Sequence, residues 1–174
     1  MNSKFFRNAL LLGVGVAMTG IAVSCSDDDE VPAAQVPAAV TKTFNDMYPN
    51  ARGVEWDKYS PYYIADFEVN TFDTDAWFTP DGTWAMTETD YGSLLSMLPV
   101  EMQTTFNDSK YADWIVDDVQ LYQRVADTFS LIEVETDGMP ETGVFIDSYG
   151  NILNVVQGDD FDITPTTIVE NITF

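Results

Sequence analysis

The chain has 174 residues, of which 29 are Asp or Glu, seven are Lys or Arg, one is Cys and none is His, and its formal net charge is −22. Without His the chain has no imidazole base for a Ser-His-Asp or Cys-His triad, and one Cys cannot form an intrachain disulfide or a Cys-rich zinc site. The negative charge repels nucleic-acid phosphates. Because 45% of the residues are hydrophobic and 13% are aromatic, the composition indicates a folded protein rather than a disordered acidic chain.

Residues 1–24 are predicted to be a signal peptide. Lys4 and Arg7 give the segment a positive start, and an apolar run from Ala9 to Val23 follows them. This run is shorter than the roughly 20 residues that a helix needs to span a bilayer. Without residues 1–24 the chain keeps five basic residues against 29 acidic ones, a net charge of −24.

The end of this segment, from Ile21 to Cys25, resembles a bacterial lipobox, in which the Cys is lipidated and becomes the new N-terminus. Ala22 departs from the pattern, which usually has Leu there, and ordinary cleavage after Ser24 is the alternative. The single Cys of the chain stands at the one place where a lipobox needs it. We therefore predict lipidation of Cys25 and attachment to the membrane through this lipid alone.

An acidic run follows Cys25 and opens the predicted acidic tether, residues 25–35. The run resembles the export signal of Bacteroidota surface lipoproteins and consists of Ser26, Asp27, Asp28, Asp29 and Glu30. Because like charges repel, the run is also suited to be a plain solvated spacer between membrane and domain. The resemblance implies an outer-membrane lipoprotein that faces the medium, with the periplasmic leaflet as the alternative.

The rest of the chain contains the same landmarks twice. Val36-Pro37 and Leu98-Pro99 each open a stretch of helical periodicity, at an offset of 62 residues. Phe67-Glu68-Val69 corresponds to Ile132-Glu133-Val134 at an offset of 65 residues. The landmarks keep their order while the offset grows, as expected if only the loops lengthened. The sequence therefore predicts an internal structural repeat.

Within each copy, alternation of apolar and polar residues predicts four strands after the helix. They are expected at residues 53–59, 62–70, 72–79 and 83–87, and at residues 114–125, 128–136, 143–148 and 152–156. Short turns between them make consecutive strands antiparallel. The predicted fold class is α+β, a tandem repeat of a helix packed on a four-stranded antiparallel sheet. The predicted division is repeat 1 over 36–90, a linker helix over 91–97, repeat 2 over 98–157 and a β-prone tail over 158–174 that adds an edge strand or is loose.

The landmarks of the first copy are similar to those of a known family. They run in the order Pro37, Phe44, Tyr48-Pro49, Ala51 and Trp56, then an alternating strand, then Asp81-Gly82-Thr83-Trp84. This order resembles the PepSY-like, β-lactamase-inhibitor-protein-like lipoproteins of Bacteroidota, and the resemblance extends in tandem over most of the folded part. It implies a helix on a four-stranded sheet, twice, with the sheets forming a shallow concave surface. The inhibitor after which the family is named binds an enzyme through its sheet surface. That likeness is an analogy of fold and transfers no function.

The acidic residues form no recognisable catalytic or metal-binding motif. Asp66 and Glu68 have a spacing that glycosidase carboxylates also use, but such pairs are expected by number among 29 acids. Asp73-x-Asp75 lacks the Gly of a calcium loop, and Asp159-Asp160-x-Asp162 lacks its distal Glu. Nucleotide-binding motifs and Ser nucleophile motifs are absent. We therefore predict no enzyme activity and no cofactor. A weak calcium-binding module is kept as a third hypothesis.

One face of the predicted sheet in the first copy is expected to bind a partner. Ile64, Asp66 and Glu68 share one side of their strand, and the neighbours Trp77 and Phe78 must point to opposite faces. The predicted partner-binding residues are Ile64, Asp66, Glu68 and Trp77, on a face that no helix covers. The acidity of this face predicts a basic protein or peptide partner.

The sequence therefore predicts a non-enzymatic cell-envelope lipoprotein that binds a protein or peptide, with inhibition of an enzyme as one form of that binding. The alternative is an accessory glycan-binding lipoprotein of the cell surface. Glycan binding needs exposed coplanar aromatic side chains, so burial of the tryptophans would count against it. The four tryptophans are Trp56, Trp77, Trp84 and Trp114.

Overall fold

The structure, a computed structural model, describes residues 28–158 and 161–173. The predicted signal peptide, the predicted lipidation site Cys25 and the start of the predicted export signal, Ser26 and Asp27, lie outside the described residues. Residues 159, 160 and 174 of the predicted tail lie outside them as well.

In the described residues, nine strands form one antiparallel sheet in which each strand pairs with the next along the chain. The strands are β1 (Asp28–Glu30), β2 (Arg52–Tyr59), β3 (Tyr62–Val69), β4 (Phe72–Phe78), β5 (Trp84–Asp90), β6 (Ile115–Arg124), β7 (Thr128–Glu135), β8 (Thr142–Asp147) and β9 (Ile152–Gln157). Helix α1 (Ala38–Met47) precedes β2, and helix α2 (Val100–Asn107) precedes β6. Short 3₁₀ turns lie at Ala33–Gln35, Leu95–Met97 and Val169–Asn171.

The predicted fold class, an α+β tandem repeat of a helix on a four-stranded sheet, is wrong. β5 and β6 pair directly, with Met86 opposite Arg124 and Asp90 opposite Gln120, so the strands of both halves belong to one sheet. The helices have only ten and eight residues, and the fold is mostly β. The error has a physical cause, because alternation within a strand shows its two faces but not which strand lies along its edge.

The individual strands lie within a few residues of the predicted ones. In β3, for example, Phe67 and Ala65 contact the core beneath α1, whereas Ile64 belongs to a core on the opposite face. Period-two alternation therefore identified both faces of this strand correctly. The predicted linker helix is reduced to the 3₁₀ turn at Leu95–Met97.

Both helices lie on one face of the sheet. Phe44 of α1 is buried, and its ring meets those of Trp56, Phe67 and Phe78 at centroid distances of 5.3, 5.0 and 6.4 Å. Met102 and Phe106 of α2 are buried in a second cluster with residues of β6, β7 and β8. These two cores fix the sheet from the helix side.

Glycine allows two hairpin turns to pack closely against the helices. Gly82 lies between β4 and β5 with a φ of +84°, and a Cβ placed there would be 2.6 Å from the carbonyl oxygen of Ala39 in α1. Gly150 lies between β8 and β9 with the same φ, and its would-be Cβ meets the Thr105 hydroxyl of α2 at 2.8 Å. Only glycine combines this backbone conformation with so close an approach.

We call the sheet face opposite the helices the far face. One part of it, the apolar half, is a buried cluster whose strand residues are Ile64, Trp77, Met86, Tyr122, Phe129, Leu131, Phe145 and Val156. Residues 161–173, the C-terminal segment, cover this cluster with Phe161, Ile163, Val169 and Ile172. The C-terminal segment contains no strand in its described residues and is not loose, since Ile163 and Val169 are buried.

The predicted acidic tether begins its described part as a strand. β1 pairs antiparallel with β2, placing Asp28 opposite Tyr59 and Glu30 opposite Asp57. The backbone of these tether residues is therefore attached to the sheet edge.

Among the helices of the described residues, none is long and apolar enough to cross a membrane.

Candidate functional site

Four carboxylates stand in one line across the far face. Glu55 of β2 lies opposite Asp66 of β3, Asp66 lies opposite Asp75 of β4, and Asp75 lies opposite Glu88 of β5. We call these four residues the acidic row. Residues directly opposite on antiparallel strands have Cβ atoms about 4.5–5.5 Å apart, so the row places like charges at short range.

Further acids extend this surface beyond the row. Glu68 lies opposite Asp73 on β3 and β4, and Asp118 lies opposite Glu133 on β6 and β7. The cation Arg52 lies opposite Glu68 at the rim. The salt bridges Lys42–Asp46 and Arg124–Asp127 both lie outside the row. The far face is therefore strongly acidic next to its apolar half.

The acidic row is most buried at Asp75 on β4. Glu55 is exposed, Asp66 and Glu88 are half-buried, and Asp75 is buried. Burial raises the pKa of Asp66, and the nearby charges of Asp73 and Glu55 raise it further. A carboxylate whose pKa is raised in this way holds its negative charge at a cost, which a cation brought close to it would reduce.

A buried tyrosine continues the line of the row into β6. Tyr122 lies opposite Glu88, and its hydroxyl donates a hydrogen bond to Gln120 Oε1 at 2.8 Å. The Gln120 amide in turn donates to Asp118 Oδ2 at 3.0 Å. Burial, with the carboxylates Glu88, Glu133 and Asp118 nearby, raises the pKa of Tyr122 well above its usual value. These two buried hydrogen bonds orient the Asp118 carboxylate.

The four predicted partner-binding residues share the far face but differ in exposure. Asp66 is half-buried and Glu68 is exposed, so both border the open acidic surface. Ile64 is 4% exposed and Trp77 is 0% exposed, and both lie in the cluster that the C-terminal segment covers. The face expected to be uncovered is therefore covered at Ile64 and Trp77. Whether these four residues contact a partner stays a prediction.

The structure also brings together acids that sequence spacing did not connect. Asp75 and Glu88 join Asp66 in the row, although they lie nine and 22 positions away along the chain. The carboxylates of Asp117, Glu133 and Glu141 have oxygens within 4.8 Å of one another. Neither loop considered for calcium contributes to this second group, and calcium binding stays an expectation.

The tryptophans do not form an exposed aromatic platform. Trp56 is buried in the core under α1, and Trp77 is buried in the apolar half of the far face. Trp84 and Trp114 are half-buried and pack against the two helix-side cores. None of the four tryptophans is exposed, which counts against the glycan-binding alternative.

The chain matches the model of a known protein family. The family described as "Putative beta-lactamase-inhibitor-like, PepSY-like" matches residues 22–64 and 61–154 of this chain. A search of curated proteins found no match. The family resemblance read from the sequence is confirmed.

Solved structures from Bacteroides are similar to this chain. A DUF2874 family protein from Bacteroides ovatus ATCC 8483 is 34% identical over 68% of this chain and 85% of its own, with a TM-score of 0.62. A BLIP-like protein from Bacteroides fragilis NCTC 9343 is 29% identical over 75% of this chain and 94% of its own, with a TM-score of 0.65. A protein from Bacteroides eggerthii DSM 20697, described as putative periplasmic, is 31% identical over 69% of this chain and 87% of its own, with a TM-score of 0.62.

Proposed function

We propose, since this chain belongs to the PepSY-like, β-lactamase-inhibitor-like family, that it is a non-catalytic binding module whose far face holds a basic segment of a protein or peptide. Membership in an inhibitor-like family supports a binding role in general. The basic character of the partner is our own inference from the acidic row. Inhibition of an enzyme is one form that this binding takes if the partner is itself an enzyme.

The observation that carries the proposal is the cross-strand alignment of the row from Glu55 to Glu88. Like charges directly opposite one another destabilise a sheet, so folding alone does not favour this arrangement. A lysine or arginine placed above the row would compensate several carboxylates at once. The gain would be larger than at an exposed site, because the row is partly removed from water and charges interact more strongly there.

The dimensions of the row fit an extended polypeptide. Four neighbouring strands at about 4.8 Å spacing give a row roughly 14 Å long. In an extended chain, alternate side chains on one side are about 6.8 Å apart, so three alternating basic residues span about the same length. A segment with lysine or arginine at every second position therefore matches the row in length and in charge.

The proposed location of the protein is the cell envelope. A relative from Bacteroides eggerthii is described as putative periplasmic, which supports this location. We propose that Cys25 carries the lipid and that Ser26, Asp27, Asp28, Asp29 and Glu30 act as the export signal to the outer surface. If Cys25 is the anchor, β1 starts three residues later, and an extended chain of that length reaches only about 10 Å. The proposed anchor would then hold the β1–β2 edge of the sheet near the lipid surface.

The test uses a synthetic peptide in which lysine and serine alternate, with a glutamate–serine peptide as the reference. Calorimetric titration compares the intact folded domain with the variant Asp66→Asn, Asp75→Asn, Glu88→Gln. We expect the wild type to bind the lysine peptide with an affinity that falls as salt is added, and the variant to bind at least about tenfold more weakly. The glutamate peptide should not bind.

A matched control separates the row from general charge. The control variant Glu101→Gln, Asp108→Asn, Asp113→Asn removes the same number of charges from exposed acids outside the row, in α2 and just after it. It should change the affinity less than about twofold. Equal losses in both variants, or no binding of the lysine peptide to the wild type, would contradict the proposal.

A further inference from the structure

We infer that the C-terminal segment is a displaceable strap over the apolar half of the far face, and that a bound partner takes its place there. The inference rests on the proposed function for the identity of the surface that the partner approaches. It adds that the partner segment has apolar residues beside its basic ones.

The strap covers a surface that could hold another polypeptide. Ile163 and Val169 are buried against strand residues that include Trp77, Phe129 and Phe145. The Phe161 ring meets the Phe145 ring at 5.7 Å, and its edge occupies the space above Gly143, where a Cβ would be 2.6 Å from Phe161 Cζ. The sheet beneath the strap therefore has several separate apolar positions, and each is occupied by one side chain of the strap.

Side chains of the sheet hold the strap by its backbone carbonyls. Asn154 Nδ2 donates hydrogen bonds to the carbonyl oxygens of Val169 at 2.9 Å and Ile172 at 3.0 Å. Arg124 Nη1 donates to the carbonyl oxygen of Thr167 at 2.6 Å. These hydrogen bonds hold the strap backbone in its place on the sheet, so loss of a donor makes the strap easier to displace.

The strap leaves an opening at one end of the sheet. A cleft of about 460 Å³ lies between Tyr62, Trp84 and Arg124 on the sheet side and Thr166 and Glu170 on the strap side. The outer strap residue Ile168 is 60% exposed. The strap is therefore not packed flush with the sheet along its whole length, and an incoming chain has a place to start.

The apolar half and the acidic row are neighbours on the same strands. Ile64 lies two positions from Asp66, and Trp77 lies two positions from Asp75, which is about 6.8 Å along each strand. The described strap contains acidic residues and no basic one, so it brings no positive charge to the row. A partner with basic residues followed by apolar residues would contact both surfaces, whereas the strap covers only the apolar one.

The experiment compares two synthetic peptides on the full folded domain and on a form that ends at Gly158. One peptide has alternating lysine and serine, and the other continues with alternating phenylalanine, serine and isoleucine. In the full domain, the strap is displaced in only a fraction of the molecules, and this lowers the apparent affinity for the extended peptide. The truncated form should therefore bind the extended peptide at least about tenfold more tightly than the full domain. Both forms should bind the lysine-only peptide alike. A peptide of residues 158–174 added to the truncated form should compete with the extended peptide.

A latch variant keeps the test decisive if the truncated form does not fold. Asn154→Ala removes two hydrogen bonds to the strap, and Asn45→Ala changes an exposed residue of α1 as the control. The latch variant should bind the extended peptide about fivefold more tightly than wild type, and the control should not differ. Equal affinity of wild type, truncated form and latch variant for the extended peptide would overturn the strap alone. Failure of every form to bind either peptide would overturn the proposed function and the strap with it.

Discussion

Asp66 of β3 lies directly opposite Asp75 of β4 in the middle of the far face, and neither residue is fully exposed. Two carboxylates in this position repel each other and lose part of their hydration. Glu55 on β2 and Glu88 on β5 extend the same line on either side. A sheet built only for stability would place an apolar or oppositely charged residue at one of these positions. This alignment of like charges is the observation on which the proposed binding of a basic partner rests.

Replacing Asp66 by Asn should stabilise the isolated protein. The substitution removes one like-charge contact on each side, and we expect a gain of about 0.2–1 kcal/mol in the free energy of unfolding at pH 7. Urea unfolding measures this gain directly. Asp108→Asn, which changes an exposed residue at the end of α2, is the control and should leave the stability unchanged.

The gain from Asp66→Asn should shrink in acid. The pKa of Asp66 is raised above its ordinary 3.8, so the folded state holds this proton more tightly than the unfolded state. Its favourable contribution is fully present below the ordinary pKa and is lost as the pH rises through the raised value. Wild type should therefore approach the variant in stability near pH 4. A difference that is constant from pH 4 to pH 7 would contradict this account.

Asp147 should show the opposite pH dependence. Its carboxylate accepts hydrogen bonds from the backbone N–H groups of Tyr149 at 2.9 Å and Asn151 at 2.8 Å and from the Asn151 side chain at 2.9 Å. Slight burial alone would raise the pKa of Asp147, but these hydrogen bonds outweigh it and lower the pKa. The stabilisation is present above the ordinary pKa and is lost as the pH falls through the lowered value.

Asp147→Ala should therefore destabilise the protein by about 1 kcal/mol at pH 7 and by less in acid. The control is Asp137→Ala, because Asp137 is an exposed acid in the turn between β7 and β8. Thermal or urea unfolding of both variants at two pH values provides the comparison. A loss that is equal for Asp147→Ala and Asp137→Ala would show that the hydrogen bonds of the Asp147 turn contribute nothing.

Gly82→Ala should cost more than Gly138→Ala. Both glycines have positive φ, +84° and +75°, so alanine is strained by about 1–2 kcal/mol at either position. At Gly82 the added Cβ would also press on the Ala39 carbonyl at 2.6 Å, whereas Gly138 has nothing within 4 Å. The difference between the two variants in unfolding free energy isolates the contact between the turn and α1. Equal losses would mean that this turn is not seated on the helix.

Cys25→Ser should abolish acylation if Cys25 is the lipidated residue. Metabolic labelling with a palmitate analogue in a Bacteroides host should label the wild type and leave the variant unlabelled. Retention of the label in Cys25→Ser would remove the lipid anchor from the account. Replacing the acids from Asp27 to Glu30 by Ser and Ala tests the export signal separately. A protease added to intact cells should then cleave less of this protein, while palmitate labelling persists.

The sequence alone predicted most of the secondary structure, because period-two alternation records which side of each strand is buried. Tyr62–Val69 and Phe72–Phe78 lie almost where they were expected. It did not predict the pairing of Met86 with Arg124, which merges the halves into one sheet. That contact depends on where the chain returns after α2, and no local pattern encodes it.

The candidate site was partly predictable for the same reason. The alternation placed Asp66 and Glu68 together, but the row needs the register between strands, which joins Asp66 to Asp75 and Glu88. Counting outward from the short turns would have given part of this register. The sequence did not predict that the C-terminal segment covers Ile64 and Trp77. This segment packs on the sheet through its side chains and forms no strand there, so it has no alternation that could be recognised.

The most direct test of the central claim is the ¹³C chemical shift of individual side-chain carboxyl carbons during titration with the lysine–serine peptide. Each such carbon reports on its own carboxylate and therefore on one face of the sheet. We predict saturable shifts at Asp66, Asp75 and Glu88 and unchanged shifts at Asp108 and Asp113 outside the row. Shifts of equal size at all five residues, or shifts confined to Asp108 and Asp113, would contradict the proposal that the acidic row binds the partner.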